Sequence, residues 1–226
     1  MLKISSINLI LHLNFVSMKS LLLFAFTLLA TMQHNSSKQL VINGTITNIK
    51  ETVSYVYIDI LKPNDACTDS IKVINNKYSY HADLRGATLV TLYAKSPNKP
   101  GAITEKDMIP LLLGPSTVSI LSTDSFCNFK VTGSKAFKEY KELDNHFINP
   151  YTHKKMCMRP DPAIYYNYLK THPSSVIIPY VLFNYSNLVS DDDIKKTITP
   201  LYNKLSVDDK NSFFGERIKK LIDKAK

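Results

Sequence analysis

Asp69-Ser70-Ile71-Lys72-Val73-Ile74-Asn75-Asn76-Lys77-Tyr78-Ser79-Tyr80 sets two short β-type runs against each other across a pair of asparagines. Ile71, Val73 and Ile74 are β-branched, and Tyr78 to Tyr80 alternates aromatic with polar. Asparagine tolerates the positive φ of a two-residue turn, so the stretch predicts a hairpin. Outward from it, similar runs recur at short spacing: Leu40 to Ile46, Val53 to Leu61, Thr88 to Tyr93, Met108 to Leu113, Thr117 to Leu121 and Asn128 to Val131. Short strands with frequent turns predict an antiparallel β-sandwich or open barrel over residues 38–133.

Past Gly133 the period lengthens. Phe137, Tyr140, Leu143 and Phe147 recur every three or four residues behind a capping Ser134. Pro162 to Leu169 predicts a second, short helix that closes before His172-Pro173. Ser174 or Ser175 is expected to cap a third over Val176 to Leu188, with Pro179 tolerated in its first turn. Ser190 before Asp191-Asp192-Asp193 predicts a fourth, running to Leu205, whose carboxylates suit the positive end of the helix dipole. Ser206 with Asp209 predicts one last helix ending in Ile218, Leu221 and Ile222. Residues 134–226 read as a helical region, and the fold class as α+β.

Met18-Lys19-Ser20 places one positive charge ahead of the apolar run Leu21 to Ala30, and polar sequence from Gln33 follows. This is the layout of a secretory signal peptide over residues 1–32, with Met18 itself a well-formed start. The run is shorter than the roughly 20 apolar residues of a membrane-spanning helix. Lys19 argues against one long uncleaved anchor, because a charge at bilayer depth is costly. The expectation is an exported chain with no stable membrane span after signal cleavage. About 190 residues then remain, enough for a real hydrophobic core. The net charge of +9 falls to +7 once Lys3 and Lys19 leave with the signal. Lysines are interleaved with acidic residues, a solvated basic surface and not the dense basic stripe that nucleic acid takes.

Cys67, Cys127 and Cys157 are an odd number in an oxidising compartment, and none belongs to a Cys-x-x-Cys pair. Exchange through an attacking and a resolving thiol is thereby absent. Cys67, in the polar loop Asn64 to Asp69, is the candidate for an exposed redox thiol. Cys127 could pair with it if their Cα atoms come within about 6 Å. Cys157, between Met156 and Met158, reads as a small buried hydrophobe. His146, His153 and Cys157 straddle Pro150 at a spacing that matches no closed zinc site, so neither metal nor cofactor is expected. His172-Pro173-Ser174-Ser175 reads as a helix boundary, because no Gly-x-Ser-x-Gly elbow presents a nucleophile. Tyr55, Tyr57, Tyr78 and Tyr80 alternate on adjacent predicted strands and could share one aromatic face, as core packing or as a platform for a protein or a glycan.

The order of these motifs resembles a known arrangement. A signal peptide and a strand ending in Asn43-Gly44 precede Asp69 to Tyr80, then Leu111-Leu112-Leu113-Gly114, Val131-Thr132-Gly133-Ser134 and Tyr168-Leu169-Lys170-Thr171-His172-Pro173-Ser174-Ser175. Leu201 to Leu205 and Phe214-Gly215-Glu216-Arg217-Ile218 follow. Over residues 38–226 the chain is similar to the uncharacterised N-terminal domain that precedes thioredoxin-like modules in bacterial envelope thiol–disulfide oxidoreductases. Asn76 departs from that pattern, standing where a turn glycine is usual. The module's Cys-x-x-Cys has no counterpart here, so no catalytic residue carries over. The resemblance implies a stand-alone, non-catalytic binding or assembly module in the periplasm or cell envelope of a Gram-negative bacterium. Its partner would be an envelope protein, a second copy, or a separate thioredoxin-like protein. The rival expectations are single-thiol redox chemistry through Cys67 and glycan binding through the tyrosine face.

Overall fold

The computed structural model describes residues 38–50, 52–63, 66–95, 108–147 and 161–225. The signal-peptide reading therefore lies outside the described residues. Among the described residues eight strands come first: β1 Gln39–Thr47, β2 Tyr55–Leu61, β3 Ala66–Lys72, β4 Lys77–Asp83, β5 Thr88–Lys95, β6 Met108–Leu113, β7 Ser116–Thr123 and β8 Phe129–Thr132. They form two four-stranded sheets, ordered β4-β1-β7-β8 and β3-β2-β5-β6. All pairings are antiparallel except β1 with β7, where Leu40 stands opposite Ser116 and Thr47 opposite Thr123. Alternate residues such as Ile42, Val118, Ile58 and Leu92 point between the sheets and are fully buried in one core, as an α+β chain with a β-sandwich requires. Pro110, which can donate no ladder hydrogen bond, lies on the edge strand β6.

The Asn75-Asn76 turn forms as predicted, but the hairpin does not continue. Both asparagines are left-handed, with φ of 51° and 59°. Ile74 and Lys77 exchange backbone hydrogen bonds of 2.9 and 3.0 Å across them, the two-residue hairpin turn with positive φ at both central positions. Beyond that bridge, β3 joins β2 and β4 joins β1, so the chain crosses from one sheet to the other at this corner. Packing overrides the local signal here. Tyr78 of β4 stands opposite Gly44 of β1, and its ring lies where a side chain would be: a Cβ on Gly44 would fall 1.9 Å from the ring's Cζ. Tyr80 reaches the other sheet, its hydroxyl donating to Asp69 Oδ2 at 2.5 Å, and this bond links β4 to β3 across the open side of the sandwich.

Among the described residues, seven α-helical segments follow: α1 Lys135–Asn145, α2 Pro162–Thr171, α3 Ile178–Ser186, α4 Asp191–Asp193, α5 Thr199–Asn203, α6 Val207–Lys210 and α7 Phe213–Lys224. Ser134 caps α1, accepting from the Phe137 N–H at 3.1 Å. Three predicted helices change shape. The third starts at Ile178 with no side-chain cap, because Ser175 is engaged elsewhere. The fourth is capped by Ser190 as expected, but Ile194–Ile198 between α4 and α5 is a π-turn. Pro200 explains the widening: its ring would clash with the carbonyl four residues back, and the wider turn lets Thr199 bond to Ile194 instead. The last predicted helix is two, α6 capped by Ser206 and α7 capped by Ser212. Gly215 permits that elbow, since a Cβ there would lie 2.0 Å from the Asp209 carbonyl oxygen.

Phe214 is the centre of the helical core, 1 % exposed, with Tyr180, Phe183 and Phe213 rings packed around it at 5.1–5.6 Å. Leu89 and Leu112 of the second sheet, with Ala87 just before β5, join this cluster, so the helices cover one end of that sheet's outer face. Residues Lys38–Lys226 make a single compact unit. No described helix is long and apolar enough to cross a membrane.

Candidate functional site

The end of that outer face that no described helix covers is the candidate site. On β2, Val56, Ile58 and Ile60 point into the sandwich core, which turns Tyr55, Tyr57 and Asp59 outward. On β5, Val90 and Leu92 point inward, which turns Thr91 and Tyr93 outward. The strands are antiparallel neighbours, with Tyr57 directly opposite Tyr93 and Asp59 opposite Thr91. Directly opposed side chains stand close enough to act as one surface, so Tyr55, Tyr57 and Tyr93 form a platform on the two central strands of the sheet. Tyr55 is 43 % exposed, and Tyr57 and Tyr93 are half-buried. Asp59 borders the rings and accepts from Thr68 Oγ1 at 2.6 Å.

Of the four tyrosines expected to share a face, the structure keeps Tyr55 and Tyr57 together and sends Tyr78 and Tyr80 to the other sheet. Tyr78 is 4 % exposed inside the sandwich, where burial pushes its hydroxyl well above the ordinary tyrosine pKa. Tyr80 is held by its bond to Asp69. Tyr93 takes their place on the platform; its alternation with Thr91 and Leu89 carried the signal, but only the β2–β5 pairing makes it a neighbour. On the outer face of the first sheet Ser79 Oγ donates to Asn43 Oδ1 at 3.0 Å, and Leu121 of β7 is exposed.

The cysteine readings also change. Cys67 is not in a loop: its backbone belongs to strand β3, opposite Ile60, and its side chain lies outside the described residues. Cys127 is a half-buried free thiol with Sγ 3.5 Å from Ser125 Oγ, so it makes no disulfide with Cys67. His153 and Cys157 lie outside the described residues.

His172-Pro173-Ser174-Ser175 is a structural tie. Ser175 Oγ donates to Glu139 Oε2 at 2.7 Å, lies 3.1 Å from the Tyr168 hydroxyl and accepts from the Ile177 N–H at 3.3 Å. The Val176 N–H donates to the same Glu139 oxygen at 2.9 Å. His172 takes no part: it stacks on the Tyr168 ring at 4.3 Å, with Nδ1 2.8 Å from Thr171 Oγ1. The serine thus lacks the histidine base that nucleophilic catalysis needs, and its oxygen is committed to fastening α1 to the α2–α3 turn. Glu139→Ala strands both donors at a half-buried position. We expect a loss of about 2–3 kcal/mol in unfolding free energy, read from the urea midpoint at unchanged slope.

A sequence-family profile described as a domain of unknown function, DUF4369, matches residues 40–140, from β1 through the first half of α1. A search of curated proteins finds no match.

Proposed function

We propose that the chain is a non-catalytic binding module of the bacterial envelope that takes a protein partner on the platform of Tyr55, Tyr57 and Tyr93. The observation that carries this reading is the alignment of three tyrosines on the outward face of central strands, with one of them 43 % exposed. Tyrosine combines a large apolar ring with a hydroxyl and loses little conformational entropy on contact, which is why it concentrates at the energetic centres of protein interfaces. The apolar run Leu21 to Ala30 supports export, and the similarity to accessory domains of envelope thiol–disulfide oxidoreductases supports a partner in that compartment. The latter support is analogy, since function resides in sites and not in folds.

The test is a pull-down from the native envelope with the wild-type chain and with Tyr55→Ser/Tyr57→Ser/Tyr93→Ser, alongside Cys67→Ser. The reading expects one saturable partner for wild type and Cys67→Ser, weakened about 100-fold by the triple substitution, which corresponds to two interface tyrosines of about 1.4 kcal/mol each. Equal capture by the triple variant removes the platform from the account. Loss with Cys67→Ser alone favours the single-thiol reading. Asp59 and Thr68 beside the rings support a second reading, glycan binding, in which sugar hydroxyls meet the carboxylate while the ring stacks on tyrosine. Capture that persists after protease treatment of the extract selects it.

A further inference from the structure

β3, β4, β6 and β8 form the edges of the two sheets, and an edge strand is a template for another chain unless its sequence forbids it. β6 carries Pro110, β8 has four residues, and the outward positions Thr68, Ser70 and Lys72 of β3 carry charge of one sign. β4 differs. It is seven residues long, without proline, and its ladder to β1 runs unbroken from Gln39–Asp83 to Thr45–Lys77. The Leu84 N–H donates to the Lys38 carbonyl at 2.6 Å and the Ile46 N–H to the Asn76 carbonyl at 2.9 Å, so the even-numbered residues of β4 are those that bond to β1. Lys77 bonds to Ile74 on the opposite side. Ser79, His81 and Asp83 therefore turn their N–H and C=O groups away from the sheet, and no described residue bonds to those groups. The same alternation puts the side chains of Lys77, Ser79, His81 and Asp83 together on the exposed face.

We propose that β4 pairs antiparallel with β4 of a second copy of this chain, about a twofold axis beside Tyr80. In that register Ser79 stands opposite His81 of the second copy, and the two positions exchange both backbone hydrogen bonds, twice over by symmetry. Lys77 stands opposite Asp83 of the second copy at each end of the ladder. Opposite charges directly across an antiparallel pair attract, and β4 is basic at one end and acidic at the other, which makes it complementary to itself turned end for end. Sliding the strands to set His81 against His81 would lose both ion pairs, so the charges fix the register. The contact is isologous and closes at two chains: the first sheet becomes continuous across the axis and both free β4 edges are used. The tyrosine platform lies on the other sheet and takes no part.

Sedimentation velocity of the full chain at rising concentration tests the proposal. Wild type is expected to pass from monomer to dimer below millimolar concentration. Lys77→Glu and Asp83→Lys each set like charges against each other at both ends of the ladder, and each should weaken the dimer about tenfold or more. An equimolar mixture of these two variants sets opposite signs together again and should dimerise as wild type does. His81→Pro deletes an N–H that β1 does not use, so the fold, followed by circular dichroism, should survive while the dimer is lost. Tyr55→Ser/Tyr57→Ser/Tyr93→Ser should leave the dimer unchanged. A wild type that stays monomeric at millimolar concentration, a dimer indifferent to both charge substitutions, or folded charge variants that fail to dimerise when mixed would overturn it. The mixture keeps the test decisive should the proline variant fail to fold.

Discussion

Gly44→Val is expected to lower the unfolding free energy by about 3–5 kcal/mol, a large part of the roughly 5–15 kcal/mol available to a domain. The cost arises from one contact. Tyr78 lies flat over the Gly44 backbone, with ring atoms 1.9–2.4 Å from the place a Cβ would occupy. A valine therefore evicts the ring from a core in which Tyr78 is 4 % exposed, and the close packing of such cores leaves no alternative berth. Tyr78→Phe separates the ring from its hydroxyl. Tyr78 Oη is a buried oxygen with no partner among the described residues, so removing it is expected to be neutral or to stabilise by about 1 kcal/mol. Tyr78→Ala empties the ring's volume, and combining it with Gly44→Val should cost about 1–3 kcal/mol less than the two singly, because the valine fills part of the void. Urea unfolding of the four variants measures the cycle, and strict additivity would show that ring and glycine do not meet.

Above about pH 10 the protein is expected to lose stability steeply. Burial raises the hydroxyl pKa of Tyr78 and Tyr180 strongly, and that of Tyr165, Tyr168, Tyr185 and Tyr202 in the same direction. For Tyr180, the neighbouring Tyr140, Tyr165 and Asp144 add to the burial, against a hydrogen bond with Asn184 that opposes it. A raised native value means that the unfolded chain gives up its protons first. The stabilising contribution is therefore complete below the unfolded tyrosine value near 10 and is lost as pH rises through the window up to the native values. Each strongly raised hydroxyl contributes a slope of about 1.4 kcal/mol per pH unit in that window. Chemical unfolding at successive pH values measures it. Tyr78→Phe should reduce the slope by about that amount, and an unchanged slope would place the Tyr78 hydroxyl in water.

Local chemistry was legible where it acted alone. Ser134, Ser190 and Ser206 cap the helices their sequence promised, because a serine oxygen and an N–H three residues on suffice. Seven of the eight strands lie close to the runs that predicted them, for a period of two survives any choice of partner, whereas β3, Ala66–Lys72, occupies most of the stretch read as a polar loop. What failed depended on distant partners. The Asn75-Asn76 turn is correct in every local respect, yet its flanks diverge because Gly44 offers Tyr78 a seat in the first sheet while β2 offers β3 an edge in the second. The tyrosine platform fared likewise: alternation gave Tyr55 and Tyr57 a common face, whereas Tyr93 joins only through the β2–β5 register. Ser175 was lost as a cap to Glu139, which is 36 residues away. The elbow at Ser212 went unread because a single helix and two abutting ones share their apolar spacing.

The most direct measurement is site-specific photo-crosslinking in the native envelope, with a benzophenone side chain placed at Tyr55, at Tyr93 and, for comparison, at Tyr166 on α2, which is 37 % exposed on the helical side. The account predicts one discrete crosslinked partner from Tyr55 and from Tyr93, competed away by unlabelled wild-type chain, and none from Tyr166. A discrete adduct from Tyr166 alone, or no adduct at either position on the second sheet, would contradict it.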